Sequence, residues 1–346
     1  MKIDNLLFSL NLVKPALDTN DYIPIFSHFC FDGKTVTTYN DKTAISVPCR
    51  APIVGAIHFD KLLRWLDVPK TSKLKINQDK DRVDISCGRS SISLAYLDDS
   101  EFLFEIPDIT DATSFLFTEE HILGIKKCMM SISSDEVQTK MQGVTFQSPN
   151  KFYATDGETI SRYISKDMVD LKFDIELLLP TAFCKNLIHI FDKLEAKDVE
   201  IYLTDEFIVA DFGNDYILFN RLIDVDKPID FESIIKRELN SKSRDVFVDI
   251  VADLKTAIEN TVVINPDVAI AEVIKQRLTI TGDDNGLYKS KDLEIPIERR
   301  KDIKVTFSPT LLSRGFSACD QICFTENSIM LANADDGFLH LISLLI

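Results

Sequence analysis

The first place where this sequence could do chemistry is Gly33-Lys34-Thr35, which ends like a loop that cradles phosphates. The first glycine of such a loop falls at residue 28, which is His28, followed by Phe29. Asp32-Gly33-Lys34 therefore reads as a hairpin turn. The five histidines (His28, His58, His121, His189, His340) show no His-x-x-x-His spacing that would suit zinc. Asp245, Asp249 and Asp253 recur every fourth residue and would share one face of a helix. A charge run of that kind reads as a solvated face before it reads as a metal site. No Gly-x-Ser-x-Gly is present for nucleophilic catalysis. The seven cysteines are odd in number and lack a Cys-x-x-Cys pair, so they read as reduced, small core residues. The expectation is a chain that is not an enzyme, with no metal and no cofactor.

Cations are the more informative class. Lys14, Lys61, Arg64, Lys126, Lys127, Lys185, Lys193, Lys255 and Arg314 give each of six expected helices at least one positive charge. Two readings stand: ordinary helix decoration, or one surface that gathers cations from all six helices. The second would hold a phosphate backbone without reading its sequence and would weaken steeply with salt. The net charge of -16 argues against nucleic acid unless the cations cluster on one face. Apolar residues at 45% and charged residues at 27% are ordinary for a soluble globular protein. No apolar run reaches the length of a spanning helix, and the apolar stretch 6–12 is too brief for a signal peptide. A soluble, cytoplasmic protein with no membrane partner is expected.

The elements that must position these residues come in a repeated order. In the first third, a short helix over 11–17 has Pro15 near its start. Strands follow over 25–31, 35–39 and 44–47, then a helix in which Phe59, Leu62, Leu63 and Leu66 share a face. Strands over 73–77, 83–87 and 91–96 lead to a linker over 107–111. The middle third has a helix capped at Thr118 and running through Ile122, Ile125 and Met129. A β-meander over 142–165 turns at Thr155-Asp156-Gly157-Glu158. A helix over 180–194, strands over 199–203, 207–212 and 216–222, and a connection over 226–243 complete it. The last third has a helix over 245–260, strands over 271–275 and 278–281, and a hairpin turn over 282–286. A helix over 308–318 and strands over 321–324, 328–332 and 338–344 close the chain. Leu62-Leu63, Leu187-Ile188 and Leu311-Leu312 hold matching places in this order, at intervals of about 125 residues. The chain is thus read as α+β, with three repeated domains over 1–111, 112–238 and 239–346.

Several stretches carry a family resemblance. Asn11-Leu12-Val13-Lys14-Pro15, Ile23-Pro24-Ile25-Phe26 and Ser86-Cys87-Gly88-Arg89-Ser90-Ser91-Ile92-Ser93-Leu94 lie in the first third. Gly143-Val144-Thr145-Phe146, Ala154-Thr155-Asp156-Gly157 and the strand Ile217–Asp224 lie in the second. In these the sequence resembles a divergent bacterial-type DNA polymerase sliding clamp, the beta clamp. The match in the last third rests on element order and the hydrophobic carboxyl terminus.

The resemblance implies three clamp domains per chain, each with two helices packed on antiparallel sheets, and a ring formed as a head-to-tail homodimer. It implies a processivity factor for DNA replication that encircles double-stranded DNA independently of sequence. DNA polymerase and clamp loader would dock through short linear peptides. The implied peptide pocket is lined by Met141, Thr155, Gly157, Ile160, Pro228, Ile234, Ile342, Ser343 and Leu344. The implied dimer contacts are Ile92 and Leu94 with Val262 and Val263, for which simple core packing is the competing reading. The sequence departs from the clamp pattern twice. Glu158-Thr159 stand where His-Arg is common, and Ile342-Ser343-Leu344 stand where Met-Pro-Met is common. A β-rich structural or scaffold protein with no DNA role is the alternative.

Overall fold

Leu6, Leu10 and Val13 recur at helical spacing near the amino terminus. In the computed structural model they are fully buried on α1 (Ile3–Val13). This helix begins eight residues earlier than the sequence suggests, and Pro15 ends it instead of opening one. Lys14–Ala16 is a 3-10 turn, because proline has no N–H to continue the helical ladder. The interrupting polar residues are accommodated: Asn11 is exposed, and the Ser9 hydroxyl donates to the carbonyl of Pro48 at 2.9 Å. The structure describes residues 1–18, 23–68, 73–97, 104–105, 107–135, 137–171, 173–225, 227–241, 246–275, 277–284, 288–296 and 302–345, without the side chains of 283–284 and 288–296.

The chain then runs β1 (His28–Asp32), β2 (Thr35–Tyr39), β3 (Thr43–Pro48), β4 (Val54–His58), α2 (Phe59–Asp67), β5 (Lys75–Gln78), β6 (Arg82–Cys87), β7 (Ser90–Ala95) and β8 (Thr113–Thr118). Next come α3 (Glu119–Cys128), β9 (Gly143–Gln147), β10 (Lys151–Thr155), β11 (Thr159–Ile164), β12 (Glu176–Pro180), α4 (Thr181–Leu194), β13 (Asp198–Leu203), β14 (Phe207–Asp211) and β15 (Ile217–Arg221). The last stretch has α5 (Phe231–Leu239), β16 (Val248–Asp249), α6 (Ala252–Ile264), β17 (Ala269–Ile274), β18 (Arg277–Asp284), β19 (Tyr288–Pro296), β20 (Ile303–Phe307), α7 (Pro309–Gly315), β21 (Gln321–Phe324), β22 (Ser328–Ala332) and β23 (Phe338–Ser343).

Two compact units result. The first takes Met1–Glu119 and Ala182–Leu222, the second Glu120–Thr181 and Ile223–Ile346. The first unit holds an eight-stranded antiparallel sheet in the order β4-β1-β2-β3-β15-β14-β13-β8, and a three-stranded sheet β5-β6-β7. Its two four-stranded halves join where β15 pairs with β3, in register from Ile217↔Ser46 to Asn220↔Thr43. At that joint the buried Thr43 hydroxyl donates to the Asn220 side-chain oxygen at 2.6 Å. The Asn220 amide in turn donates to the carbonyl of Arg221 at 2.6 Å.

The second unit repeats the plan. Its eight-stranded sheet runs β12-β9-β10-β11-β23-β22-β21-β16, beside a four-stranded sheet β19-β18-β17-β20. Here the halves join where β11 pairs with β23, from Thr159↔Ile342 to Tyr163↔Phe338. Helix α3 lies close on this sheet. A Cβ on Gly124 would sit 2.7 Å from ring carbons of both Phe152 and Tyr163, so the approach requires glycine there.

Local departures from the sequence reading have identifiable causes. Residues 25–27 belong to a 3-10 turn, Pro24–Ser27, and the strand starts at His28. The stretch 226–243 is not only a connection, since it contains α5; residues 226 and 242–243 lie outside the described residues. Asp230 caps that helix by accepting the Ser233 N–H at 3.0 Å, and Phe231 and Ile235 bury one face. The helix expected over 245–260 starts only at Ala252. Before it, Val248 and Asp249 pair with Ile322 and Gln321, and the Ile250 N–H donates to the carbonyl of Asp320 at 2.7 Å. A sheet edge recruits this backbone, so Asp249 and Asp253 do not share a helical face; Asp245 lies outside the described residues. So do Asn285 and Gly286 of the expected hairpin turn. The terminal strand ends at Ser343. Strands β4, β8, β12, β19 and β20 have no counterpart in the sequence reading.

Replacing Asn220 with alanine strands the buried Thr43 hydroxyl at the joint. The expected cost is about 1–3 kcal/mol, to be measured by denaturant unfolding; an unchanged midpoint would show that the joint does not depend on this pair.

Candidate nucleic-acid and peptide-binding sites

The expected DNA-facing cations divide by what surrounds them. Lys14 is exposed in the 3-10 turn after α1, Lys61 and Arg64 are exposed on α2, and Lys185 and Lys193 are exposed on α4. All five belong to the first unit. Arg64 shares its charge with Asp60, one helical turn away, at 2.7 Å. In the second unit, Lys126 and Lys127 on α3 and Lys255 on α6 line one open cleft of about 610 Å³. Met130 and Phe316 are among its other walls. Lys126 and Lys255 are exposed, as is Arg314 on α7.

Lys127 differs from its neighbours. Its ammonium is ion-paired with Asp336 and lies 5.1 Å from the ring centre of Phe338 and 5.9 Å from that of Tyr163. Its charge is committed within the unit, where cation–π attraction and a carboxylate hold it together. Lys126 and Lys255 are the exposed cations of this cleft.

The expected peptide-pocket residues gather partly on the β10–β11 hairpin and the end of β23. Gly157 is exposed at the turn with φ of 92°, a conformation open to glycine at no steric cost. Thr155 is buried beneath it, donating to the carbonyl of Thr159 at 2.6 Å and accepting the Gly157 N–H at 3.1 Å. Ile342 is buried opposite Thr159, and the Ser343 N–H donates to the carbonyl of Glu158 at 2.9 Å. Leu344, half-buried, donates its N–H to the carbonyl of Asn327 at 3.3 Å. Ile160 packs on a cluster of Tyr153, Phe231, Ile235, Leu339 and Leu341. Helix α5, which supplies part of that cluster, also carries half-buried Ile234, with exposed Pro228 just before it. Met141 stands apart, half-buried in the 3-10 turn Thr139–Met141.

Sequence reasoning missed the residues that fix α5. The ring of Tyr153 stacks on Phe231 at 5.1 Å with planes 7° apart. Glu232 accepts hydrogen bonds from the Lys151 ammonium at 2.8 Å and from the Tyr153 hydroxyl. These bonds, Lys151 first and Tyr153 next, hold the Glu232 carboxyl below the ordinary glutamate range. Burial, then Glu232, pushes the Tyr153 phenol up. A cavity of about 140 Å³ opens beside this group, lined by Tyr153, Glu176, Pro228, Phe231 and others. The signal for it was the apolar pair Phe231 and Ile235, one helical turn apart in a charged stretch.

The expected dimer contacts occupy unlike environments. Leu94 is buried and Ile92 half-buried on β7, an edge strand of its sheet. Val262 is half-buried on α6, whereas Val263 is 83% exposed. Among the described residues, no group of three or more His, Cys, Asp or Glu side chains could hold a metal ion. No helix among them is long and apolar enough to cross a membrane.

Glu232→Ala should cost about 1–2 kcal/mol at neutral pH, given partial solvent exposure of the pair. Because the folded carboxyl has the lower pKa, its contribution is complete above the unfolded glutamate value of about 4.3 and fades as pH falls through the folded value. Unfolding curves of wild type and variant should therefore converge in acid; a gap that persists at pH 2 would contradict the assignment.

No family model matches the sequence, and no curated protein matches it. Solved structures do match by fold. The DNA polymerase III beta subunit of Thermotoga maritima superposes with a TM-score of 0.86 at 14% identity, covering 100% of this chain and 98% of that one. The beta subunit from Streptococcus pyogenes gives 0.85 at 17% identity, with the same coverage. The beta subunit from Pseudomonas aeruginosa gives 0.84 at 16% identity over 100% of this chain and 99% of that chain. From end to end, then, the chain has the fold of the bacterial DNA polymerase III beta subunit, the sliding clamp.

Proposed function

We propose that this protein is a DNA sliding clamp, a non-catalytic processivity factor made of three repeated domains per chain over 1–111, 112–238 and 239–346. Two copies join head to tail around duplex DNA, which they hold without reading its sequence. Polymerase and clamp loader dock through short linear peptides at the β10–β11 turn, the end of β23 and α5. The observation that carries this reading is the full-length likeness to sliding clamps, both chains being covered almost completely. Lys126 and Lys255 facing one open cleft agree with contact to phosphate, which is non-specific by nature. The protein would act in the cytoplasm, where replication of a bacterial-type chromosome or its virus takes place.

A threaded ring is tested by topology. The protein should stay on nicked circular duplex through gel filtration and run off after one cut linearises the DNA. Equal retention on both forms would refute encirclement.

The joint between copies is proposed to use the open edge of β7, with Ile92 and Leu94, against the exposed end of α6, with Val262 and Val263. Val263, 83% exposed, would be covered by such a contact. Val263→Asp should shift the sedimenting species toward monomer, and an unchanged sedimentation coefficient would dismiss this assignment.

A further inference from the structure

Five polar side chains form a continuous row through the second unit. His340 lies on β23, Ser161 and Thr159 on β11, and Asp156 in the turn before β11. Ser131 ends the 3-10 turn Met129–Ser131 that follows α3. Ser131, Thr159, Ser161 and His340 are all at most 2% exposed. The row has four links shorter than 3 Å. His340 Nδ1 is 2.9 Å from Ser161 Oγ, and Ser161 Oγ is 2.8 Å from Ser131 Oγ. Ser131 Oγ is 2.9 Å from Thr159 Oγ1, which is 2.9 Å from Asp156 Oδ1.

The Thr159 hydroxyl is placed to donate to both Ser131 Oγ and Asp156 Oδ1, and Ser131 Oγ also lies 3.5 Å from His340 Nδ1. The tautomer of His340 follows from its other nitrogen, because a proton on Nε2 would be buried with nothing to bond. Nε2 has no hydrogen-bond partner among the described residues. That edge of the ring packs against Gly315, where a Cβ would lie 3.1 Å from His340 Cδ2 and 2.2 Å from a Leu331 methyl carbon. A bare ring nitrogen tolerates such a site better than an orphaned N–H. The doubly protonated ring is disfavoured as well. Burial lowers the His340 pKa to about 4, with Arg314 acting in the same direction and Asp156 opposing.

We propose that His340 is a positioning residue: its Nδ1–H anchors a buried relay of Ser161, Ser131 and Thr159 that reaches the Asp156 carboxylate and locks the turn carrying Gly157 and Glu158. The same carboxylate oxygen accepts the N–H groups of Glu158 at 3.0 Å and Thr159 at 2.7 Å. Glu158 in turn accepts the N–H of Ser343. The relay thus fixes both sides of the peptide site from beneath, and fastens them to the end of α3. It also accounts for a departure from the clamp pattern, because the relay needs the hydroxyl of Thr159 at a position where arginine is common. Its bearing on peptide binding rests on the function proposed above; the proton on Nδ1 of His340 does not.

The test uses the full chain and no ligand, so its failure is separate from failure of the clamp reading. Nitrogen-15 NMR of the imidazoles at pH 7 should find His340 neutral with its proton on Nδ1; a proton on Nε2, or on both nitrogens, overturns the relay. Hydrogen exchange then reads the positioning role in His340→Asn, which keeps a donor near the Nδ1 position, and in His340→Leu, which removes it. The amides of Glu158, Thr159 and Ser343 should exchange about tenfold faster in the leucine variant and within about twofold of wild type in the asparagine variant. Thr159→Val, nearly isosteric, should match the leucine variant even if that one folds poorly. Wild-type protection in both Thr159→Val and His340→Leu would rule the positioning role out.

Discussion

An antiparallel sheet ends in a row of backbone N–H and C=O groups that must find partners, and this constraint organises both units. Each four-stranded half has an edge that would otherwise stand open. The halves close those edges on one another, β3 against β15 and β11 against β23, so that each unit carries one eight-stranded sheet. The joining pairs are separated widely in sequence, and at one of them Asn220 adds a buried side-chain bond to the ladder. Repetition of a helix-plus-sheet unit is thus more than a record of duplication. It supplies matched edges.

The repeat was legible because it rests on local rules. The hairpin at Asp156-Gly157 needs a residue that tolerates positive φ, and the face of α2 needs Leu62, Leu63 and Leu66 at helical spacing; both can be counted in the chain. What was not legible depended on neighbours far away. Val248–Asp249 reads as the start of a helix until β21 offers it an edge. Helix α5 hides among charges because only Phe231 and Ile235 face inward, and its foothold on Tyr153 comes from β10. The residues of the candidate sites were named mostly by resemblance. That Thr155, Gly157 and Ile160 on one hairpin come beside Ile342 on a terminal strand and Ile234 on a helix is a tertiary fact.

Charge illustrates the same division between composition and place. A chain with a net charge of -16 looks ill suited to a polyanion. Place qualifies that count: Lys126 and Lys255 line one cleft, whereas the ammonium of Lys127, adjacent in sequence, is held by Asp336 and two aromatic rings. Counting lysines on helices does not separate these roles. Only their partners do.

The joint between β11 and β23 has a consequence for how the protein is made. Ser161 and His340 meet across it from positions 179 residues apart. A ribosome adding roughly 5–20 residues each second needs on the order of ten to forty seconds to deliver the partner strand. Throughout that interval the nascent chain carries a finished β9–β10–β11 meander whose last edge is unclaimed. Two ribosomes following one another on a messenger would expose identical edges side by side, so the hazard in biosynthesis is pairing between nascent copies, and holding back such pairing falls to whatever binds the emerging chain.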